Sequence, residues 1–348
     1  MERRSQGEAR SGCENESALT RTTPKRRKKR LMELQVFNNW NVSLREKYRS
    51  YWRQIPNPAF YTPAACRDLR DLFDAEILNG RFFEPSASFW AVDDSSEEPT
   101  PVACLVAALV PNEPDAATLF GPFFAPEVAD AEKASVARAL IEASEKALRA
   151  KGFRRVYAGG APTGSPLLNG VYGSGSPVGF FNDDPSRDFF VAAGYRAGQK
   201  SVEWKIDKDD FYVSPVDLPN GWRLAKKERA TADWRLAAVE RNFSNRRSFC
   251  VYGGDGATEA SAEAYGAPGG QTAILRLWVC PTLKRDLQTS LKEALLDRIV
   301  ADASERAPRK AFEICAVVPD DADADEFWED LDFKKGRRAT ALVKTLES

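Results

Sequence analysis

The chain of 348 residues contains no histidine. Its absence excludes Ser-His-Asp and Cys-His catalysis, imidazole metal sites and a histidine general base. The six cysteines lie far apart and include no C-x-x-C pair, which argues against a structural zinc site, so we expect no metal. Scattered cysteines in apolar runs are typical of reduced, buried thiols in a cytoplasmic protein.

Long apolar runs are also missing. The run Val102–Val110 has nine residues, whereas a membrane-spanning helix needs about 18 or more. The N-terminal residues are charged and no apolar stretch follows them, so they do not resemble a secretory signal. These features predict a protein of the cytoplasm with no membrane partner.

Net charge is nearly absent, because 50 Lys and Arg face 51 Asp and Glu. No global field therefore attracts nucleic acid or anionic lipid. Residues 1–31 are the exception, with ten basic residues against four Glu, including the run Pro24–Arg30. We expect a disordered basic tail, or sequence upstream of a true start at Met32. The alternative is a nuclear-localisation or polyanion-binding segment, which is the one route to nucleic acid.

Hydrophobic periodicity predicts an alternation of strands and helices. The predicted strands cover residues 34–37, 88–92, 101–109, 118–126, 154–158, 201–206, 222–225, 249–252, 258–265, 273–280, 312–318 and 338–345. The predicted helices cover residues 43–54, 63–78, 131–150, 185–193, 232–242, 287–303 and 324–331. A loop rich in Gly, Ser and Pro is predicted from residue 159 to about residue 184.

The order of these elements repeats along the chain. Pro122–Pro126 matches Leu277–Pro281 at an offset of 155 residues, and so do the helical residues that follow each segment. Phe189–Tyr195 matches Phe327–Phe333 at an offset of 138 residues, so the first copy holds about 17 extra residues in its loop. We therefore predict an α+β fold of two domains at residues 32–206 and 220–348, joined by a linker at 207–219. Two unrelated domains would be the alternative.

These residues resemble the GNAT (N-acetyltransferase) superfamily. The ending Phe189–Tyr195 resembles its F-Y-x-x-x-G-F signature, and Ser165–Phe180 followed by Asp184–Phe190 resembles a bacterial tandem-GNAT subgroup. The two-lobe layout is similar to that of mycothiol synthase. The resemblance implies two tandem GNAT-like domains, each with a mixed, mostly antiparallel sheet flanked by helices. It also implies acetyl-CoA as co-substrate.

In this superfamily the pyrophosphate of acyl-CoA lies on backbone N–H groups at the start of the long helix, and the pantetheine arm pairs with the preceding strand. For the first half, the resemblance implies contacts with Phe123, Phe124, Ala125, Ser135, Val136 and Ala137. Small residues suit this place, but Glu132 stands where the family motif has a basic or neutral residue. Acids at a helix start can equally serve to stabilise the helix.

For the second half, the resemblance implies contacts with Val279, Cys280, Lys284, Arg285 and Ser290. No glycine of the family motif remains there, although Lys284 and Arg285 favour an anion. The sequence leaves open which half binds acyl-CoA.

The acid–base residues of the family are also altered. The tyrosine that protonates the leaving thiolate corresponds to Phe190 and Trp328, and neither can donate a proton to sulfur. Tyr172 in the extra loop is a candidate replacement, although loop tyrosines more often pack their rings. Asp183 and Asp184 are candidate bases, but a helix cap at Asp184 fits the sequence better.

The sequence supports two main hypotheses on function. The first is an acyl-CoA-dependent N-acyltransferase, with acetyl as the expected group and a small amine or peptide amine as acceptor. The second is a catalytically degenerate GNAT fold that binds a ligand or partner without turnover. A role for the basic tail on nucleic acid is a third and weaker idea.

Overall fold

The computed structural model describes residues 32–37, 82–95, 97, 99–161, 179–227, 247–267, 271–306 and 312–347. The basic tail, the helices predicted at 43–54, 63–78 and 232–242, and most of the Gly/Ser/Pro loop lie outside these ranges.

The described residues form thirteen strands and four helices. The strands are β1 (Met32–Val36), β2 (Phe89–Asp93), β3 (Thr100–Leu109), β4 (Ala116–Phe124), β5 (Arg155–Ala158), β6 (Phe180–Phe181), β7 (Arg196–Asp207), β8 (Arg223–Lys226), β9 (Arg247–Tyr252), β10 (Thr258–Ala267), β11 (Gln271–Val279), β12 (Glu313–Pro319) and β13 (Lys334–Thr345). The helices are α1 (Asp130–Ala150), α2 (Ser186–Ala192), α3 (Arg285–Arg306) and α4 (Ala322–Asp330).

The strands join into one sheet in the order β1-β2-β3-β4-β5-β13-β7-β12-β11-β10-β9-β8, with β6 beside β13. Neighbours are antiparallel except β4 with β5 and β11 with β12, which are parallel. A parallel pair needs a long crossover, and α1 and α3 supply it. The predicted α+β class with mixed, mostly antiparallel strands is confirmed.

The long helices form the core with one face of the sheet. In α1, Val136, Leu140, Ile141 and Leu148 recur at helical spacing and are buried. Gly152 follows the helix with φ +88°, a backbone conformation that suits glycine. Leu291, Leu295 and Ile299 of α3 occupy the matching core of the second half. No helix in the described ranges has the length and apolar character to cross a membrane.

The two halves exchange strands at the centre of the sheet. β13, from the end of the chain, lies between β5 and β7 of the first half, where Leu342 is opposite Ala158. β7 in turn lies between β13 and β12, where Trp204 is opposite Ala316. Each half thus contains a strand of the other, and the division near residues 207–219 stays a prediction.

Two features differ from the sequence prediction. β7 and β13 each have 12 residues, longer than predicted, because polar starts such as Arg196–Lys200 pair through their backbones without an apolar pattern. β6 lies within the predicted loop and pairs with Ala339 and Thr340 of β13, so it continues the line of β5 along the same strand.

Candidate functional site

Each half contains a place where its parallel strands separate. In the first half, β4 and β5 pair from Ala116 to Leu119, and the last link is the N–H of Gly159 donating to the carbonyl of Leu119 at 2.8 Å. Beyond that point β4 no longer pairs with β5, and β3 is its only partner among the described strands. We call this separation, after Leu119 and Ala158, the first fork.

Aromatic rings cross the first fork on the side of α1. The ring of Phe124, the last residue of β4, contacts that of Phe189 in α2, with centroids 5.6 Å apart. Phe180, where the chain returns to the sheet, stacks on Phe190 at 5.4 Å. Phe180 and Phe190 belong to the core on the side of α1, and Phe124 and Phe189 pack against that core. Phe123 is buried, and the Ala125 N–H donates to the Val102 carbonyl at 2.8 Å.

The start of α1 is acidic. Asp130 and Glu132 lie in its first turn. Ala129 is the N-cap residue, and no side-chain hydrogen bond caps the helix there. A hydrogen bond of 2.7 Å from Lys133 lowers the pKa of Asp130. Ser135 donates its hydroxyl to the Glu132 carbonyl at 2.8 Å. The candidate residues Val136 and Ala137, one turn further on, are buried.

The second fork is where β11 and β12 separate after Ile274 and Ala316. Their parallel pairing covers only Thr272–Ile274. The residue that ends β11 is Val279, which is buried and much smaller than Phe124 at the end of β4. The Cys280 N–H then donates to the Glu259 carbonyl at 2.8 Å, as Ala125 does in the first half.

The start of α3 is basic. Lys284 and Arg285 are exposed at its first turn, where Gln288 N–H donates to the Lys284 carbonyl at 2.9 Å. The Arg285 guanidinium pairs with Glu326 of α4 at 2.8 Å, and both side chains are exposed. Ser290 donates its hydroxyl to the Asp286 carbonyl at 3.1 Å. The two forks thus share their backbone plan and differ in charge.

The second fork has a charged surface on the side of the sheet away from α3. Alternate residues of β10, Ala260, Ala262 and Ala264, pack into the core with α3, so Glu263 faces the other way. Glu263 is 1% exposed and lies directly opposite Arg276, which follows the separation of the strands on β11.

The Cys250 thiol of β9 lies among these groups. Burial raises its pKa, Lys227, Tyr252 and Arg276 oppose that rise, and the Glu263 carboxylate adds to it. This charged surface was not predicted from the sequence. The alternation of alanine with polar residues from Thr258 to Ala264 was the signal that could have revealed it.

The corresponding surface of the first half is apolar. Ala103 of β3 is opposite Phe124, and Ala260 of β10 is opposite Val279, so these two alanines correspond. Three residues further along their strands, Val106 of the first half therefore corresponds to Glu263 of the second. Val106 is fully buried.

The predicted acid–base residues are scattered. Tyr172 lies outside the described residues. Asp184 is buried and its carboxylate accepts the Ser186 N–H at 2.8 Å, which is the geometry of a helix cap. Phe190 and Trp328 are buried in the two cores. Within the described ranges, no three His, Cys, Asp or Glu residues group to hold a metal ion.

Comparison with solved structures identifies the fold. A tandem GNAT protein from the clavulanic acid biosynthesis pathway is 15% identical with a TM-score of 0.57, and the match covers 91% of this chain and 99% of that one. A GCN5-related N-acetyltransferase from Sphaerobacter thermophilus is 9% identical with a TM-score of 0.51, covering 91% and 96%. A GCN5-related glucosamine N-acetyltransferase region of a fungal multi-domain β-N-acetylglucosaminidase is 11% identical with a TM-score of 0.58, covering 91% and 38%.

No protein-family model matches the sequence, and no curated protein matches it at a significant level. The fold and the two forks define the class: the chain has the tandem GNAT fold, two copies of the acyltransferase architecture in one sheet. The repeat predicted from sequence is confirmed at the level of the fold.

Proposed function

We propose that this protein is an acyl-CoA-dependent N-acyltransferase, which transfers an acetyl group to a small-molecule or peptide amine. The observation that carries the proposal is the pairing of a fork with a helix start, present in both halves. Separated strands leave backbone groups for an added extended segment, and a helix start attracts anions. Pantetheine and pyrophosphate, joined in one ligand, match these two features.

We assign acyl-CoA to the second fork because of charge. Lys284 and Arg285 lie at the start of α3 together with Asp286, and Arg285 pairs with Glu326, whereas the start of α1 carries Asp130 and Glu132 with Lys133 beside them. Opposite unit charges about 4 Å apart attract by about 1 kcal/mol in water, so the acidic turn disfavours phosphate by a similar amount per charge.

Space supports the same assignment. The Phe124 and Phe189 rings are in contact across the first fork, where a pantetheine arm would have to pass. At the second fork the place of Phe124 is taken by Val279, and Phe327 turns towards Trp328, with centroids 5.2 Å apart. The residues of the second half therefore fit acyl-CoA better, with Val279, Cys280, Lys284, Arg285 and Ser290 as its proposed contacts. The first-half candidates serve packing.

Isothermal titration of acetyl-CoA tests the assignment. We expect one site per chain, and at least about tenfold weaker binding in a Lys284→Glu/Arg285→Glu variant, because four units of charge change beside the phosphates. Lys146→Glu/Arg149→Glu makes the same change in net charge on the exposed end of α1 and should bind as the wild type does.

The outcomes separate the alternatives. Binding that survives in the Lys284→Glu/Arg285→Glu variant would place the ligand on the first half. An absence of binding in the wild type would contradict the proposed function. Binding with no thiol release, whatever amine is added, would favour a protein that holds acyl-CoA without turnover.

A further inference from the structure

An exposed ion pair joins the start of α3 to α4. Arg285 donates from Nη2 to Oε2 of Glu326 at 2.8 Å, and the two side chains are 73% and 64% exposed. Exposed ion pairs add little to stability, because water screens both charges and two long side chains lose freedom. Stability is therefore a weak reason for this pair, one of whose members is a proposed phosphate contact.

The place of α4 in the fold does not depend on this pair. Trp328 of α4 is buried in the core of the second half. Lys335 of β13 also pairs with two carboxylates of α4, Asp325 at 3.1 Å and Glu329 at 2.9 Å. These contacts stay in place when the Arg285 side chain turns away from α4. The helix therefore presents a carboxylate at a fixed position beside Arg285.

The corresponding positions of the first half hold two acids. Arg285 is the first residue of α3, and Asp130 is the first residue of α1. By the same repeat, Glu326 of α4 corresponds to Asp188 of α2. Two carboxylates repel each other, so the first half cannot form this pair. The pair thus occurs at the helix start to which acyl-CoA is assigned.

We infer that Glu326 is a competing counterion, which holds Arg285 until the phosphates of acyl-CoA displace it. The inference rests on the proposed function. A phosphate accepts two N–H groups of one guanidinium, and the phosphates of CoA together carry several charges, so they compete well with one exposed carboxylate. An anion with a single charge competes poorly. Glu326 thus sets the affinity of the helix start and favours multiply charged phosphates over other anions.

Two effects of Glu326 on a phosphate can be separated. As a competitor it occupies the Arg285 guanidinium, and this effect requires Arg285. As a negative charge it also repels the phosphate, and this effect is present with or without Arg285. A cycle of single and double variants isolates the part that depends on both residues.

The test is isothermal titration of the full chain with acetyl-CoA, and with inorganic pyrophosphate as a probe of the anion site, at low ionic strength. We expect Glu326→Gln to bind both ligands about threefold to tenfold more tightly than the wild type. Glu329→Gln makes the same charge change one turn further along α4, beside Lys335. This matched control should stay within about 1.5-fold of wild type, and high salt should reduce the gain of Glu326→Gln.

The cycle supplies the decisive comparison. In an Arg285→Gln protein, adding Glu326→Gln should tighten binding by less than about 1.5-fold. An equal gain with and without Arg285 would show repulsion alone and overturn the inference, as would a gain of the same size in Glu329→Gln.

The outcomes also separate this inference from the proposed function. Thiol release by the wild type, without tighter binding in Glu326→Gln, would overturn the inference and leave the proposed function intact. Tighter pyrophosphate binding in Glu326→Gln that requires Arg285, without thiol release for any amine, would support the inference and count against transfer. Failure of both proteins to bind either ligand would overturn both.

Discussion

Asp184 shows how one carboxylate can serve structure where the sequence also allows catalysis. Its side chain is 4% exposed and accepts the Ser186 N–H at 2.8 Å at the start of α2. Burial raises its pKa, and the hydrogen bonds from Ser186 only partly offset that rise. A raised pKa means that folding disfavours the ionised carboxylate. The contribution of this group to the free energy of unfolding is therefore fully present below the pKa of an unfolded aspartate. That contribution is lost as the pH rises through the higher folded value.

We predict that Asp184→Asn leaves the free energy of unfolding at pH 7 unchanged or raises it, because the amide oxygen can still accept from Ser186. Asp184→Ala should lower it by about 1 kcal/mol through loss of the cap. Urea unfolding at several pH values checks both variants, and the advantage of Asp184→Asn should disappear towards pH 3. Equal destabilisation by Asn and Ala would mean that the charge itself is needed.

Residue-level roles were only partly predictable. The cap at Asp184 could be inferred because its hydrogen bond is local, two residues along the chain. The position of Glu263 beside a fork could not, because it depends on the register of β10 against β11 and on where β12 ends its pairing. Nothing in a single sequence states which strands lie next to each other. The contact of Phe124 with Phe189 is non-local for the same reason.

At the scale of elements, the positions of the strands along the chain were predicted well, but their order in the sheet was not. The long helices and the strands on either side of them follow from periodicity, since each buries one face. The placement of β13 between β5 and β7 was not anticipated, because β7 and β13 each have 12 residues and comparable apolar patterns. Either strand could close either half, and only the completed sheet decides.

An ion pair fastens the exchanged strand. Lys344 of β13 donates to both carboxylate oxygens of Glu145 in α1, at 2.7 and 2.9 Å, and to the carbonyl of Ala193 at 2.8 Å. Glu145 is 6% exposed. Its carboxylate and burial together raise the pKa of Tyr195 well above the usual range, with burial as the larger cause. The last strand of the chain is thus bound to the first long helix by a buried charge.

We predict that Lys344→Met lowers the free energy of unfolding by about 3 kcal/mol, because Glu145 is left buried without its cation. The double variant Lys344→Met/Glu145→Leu should recover most of that loss, since an apolar pair of similar volume can replace a buried ion pair. Denaturant unfolding of the wild type, of each single variant and of the double variant gives the coupling free energy between Lys344 and Glu145. If the double variant is no more stable than Lys344→Met, the pair contributes through packing and not through charge.

The strands of the described ranges form one sheet with two unequal forks. The shared plan appears in the forks, in the long helices and in the matching hydrogen bonds of Ala125 and Cys280. The copies differ where ligand chemistry would need charge, at the helix starts and on the far face of the sheet. Such a division is consistent with one half retained for stability and strand exchange while the other carries the proposed reaction.

Because each half borrows a strand, neither should be stable when separated. A cut between Ser214 and Pro215, both exposed, leaves the first piece without β13 between β5 and β7, and the second without β7 between β12 and β13. Each piece would contain two strands with unpaired edges, which favour aggregation. We predict that residues 1–214 and 215–348 are insoluble or unfolded when expressed singly. Co-expressed, they should copurify as a one-to-one complex that binds acetyl-CoA as the intact chain does.

Circular dichroism and size-exclusion chromatography of the pieces and their complex check this prediction. A chain with a protease site inserted at the same place is the control, because it folds before it is cut. After cutting it should stay associated and unfold in a single transition, since the exchanged strands couple the two halves. A folded monomer of either piece alone, with sharp unfolding of its own, would show that the halves are independent domains and that the exchange adds little to their stability.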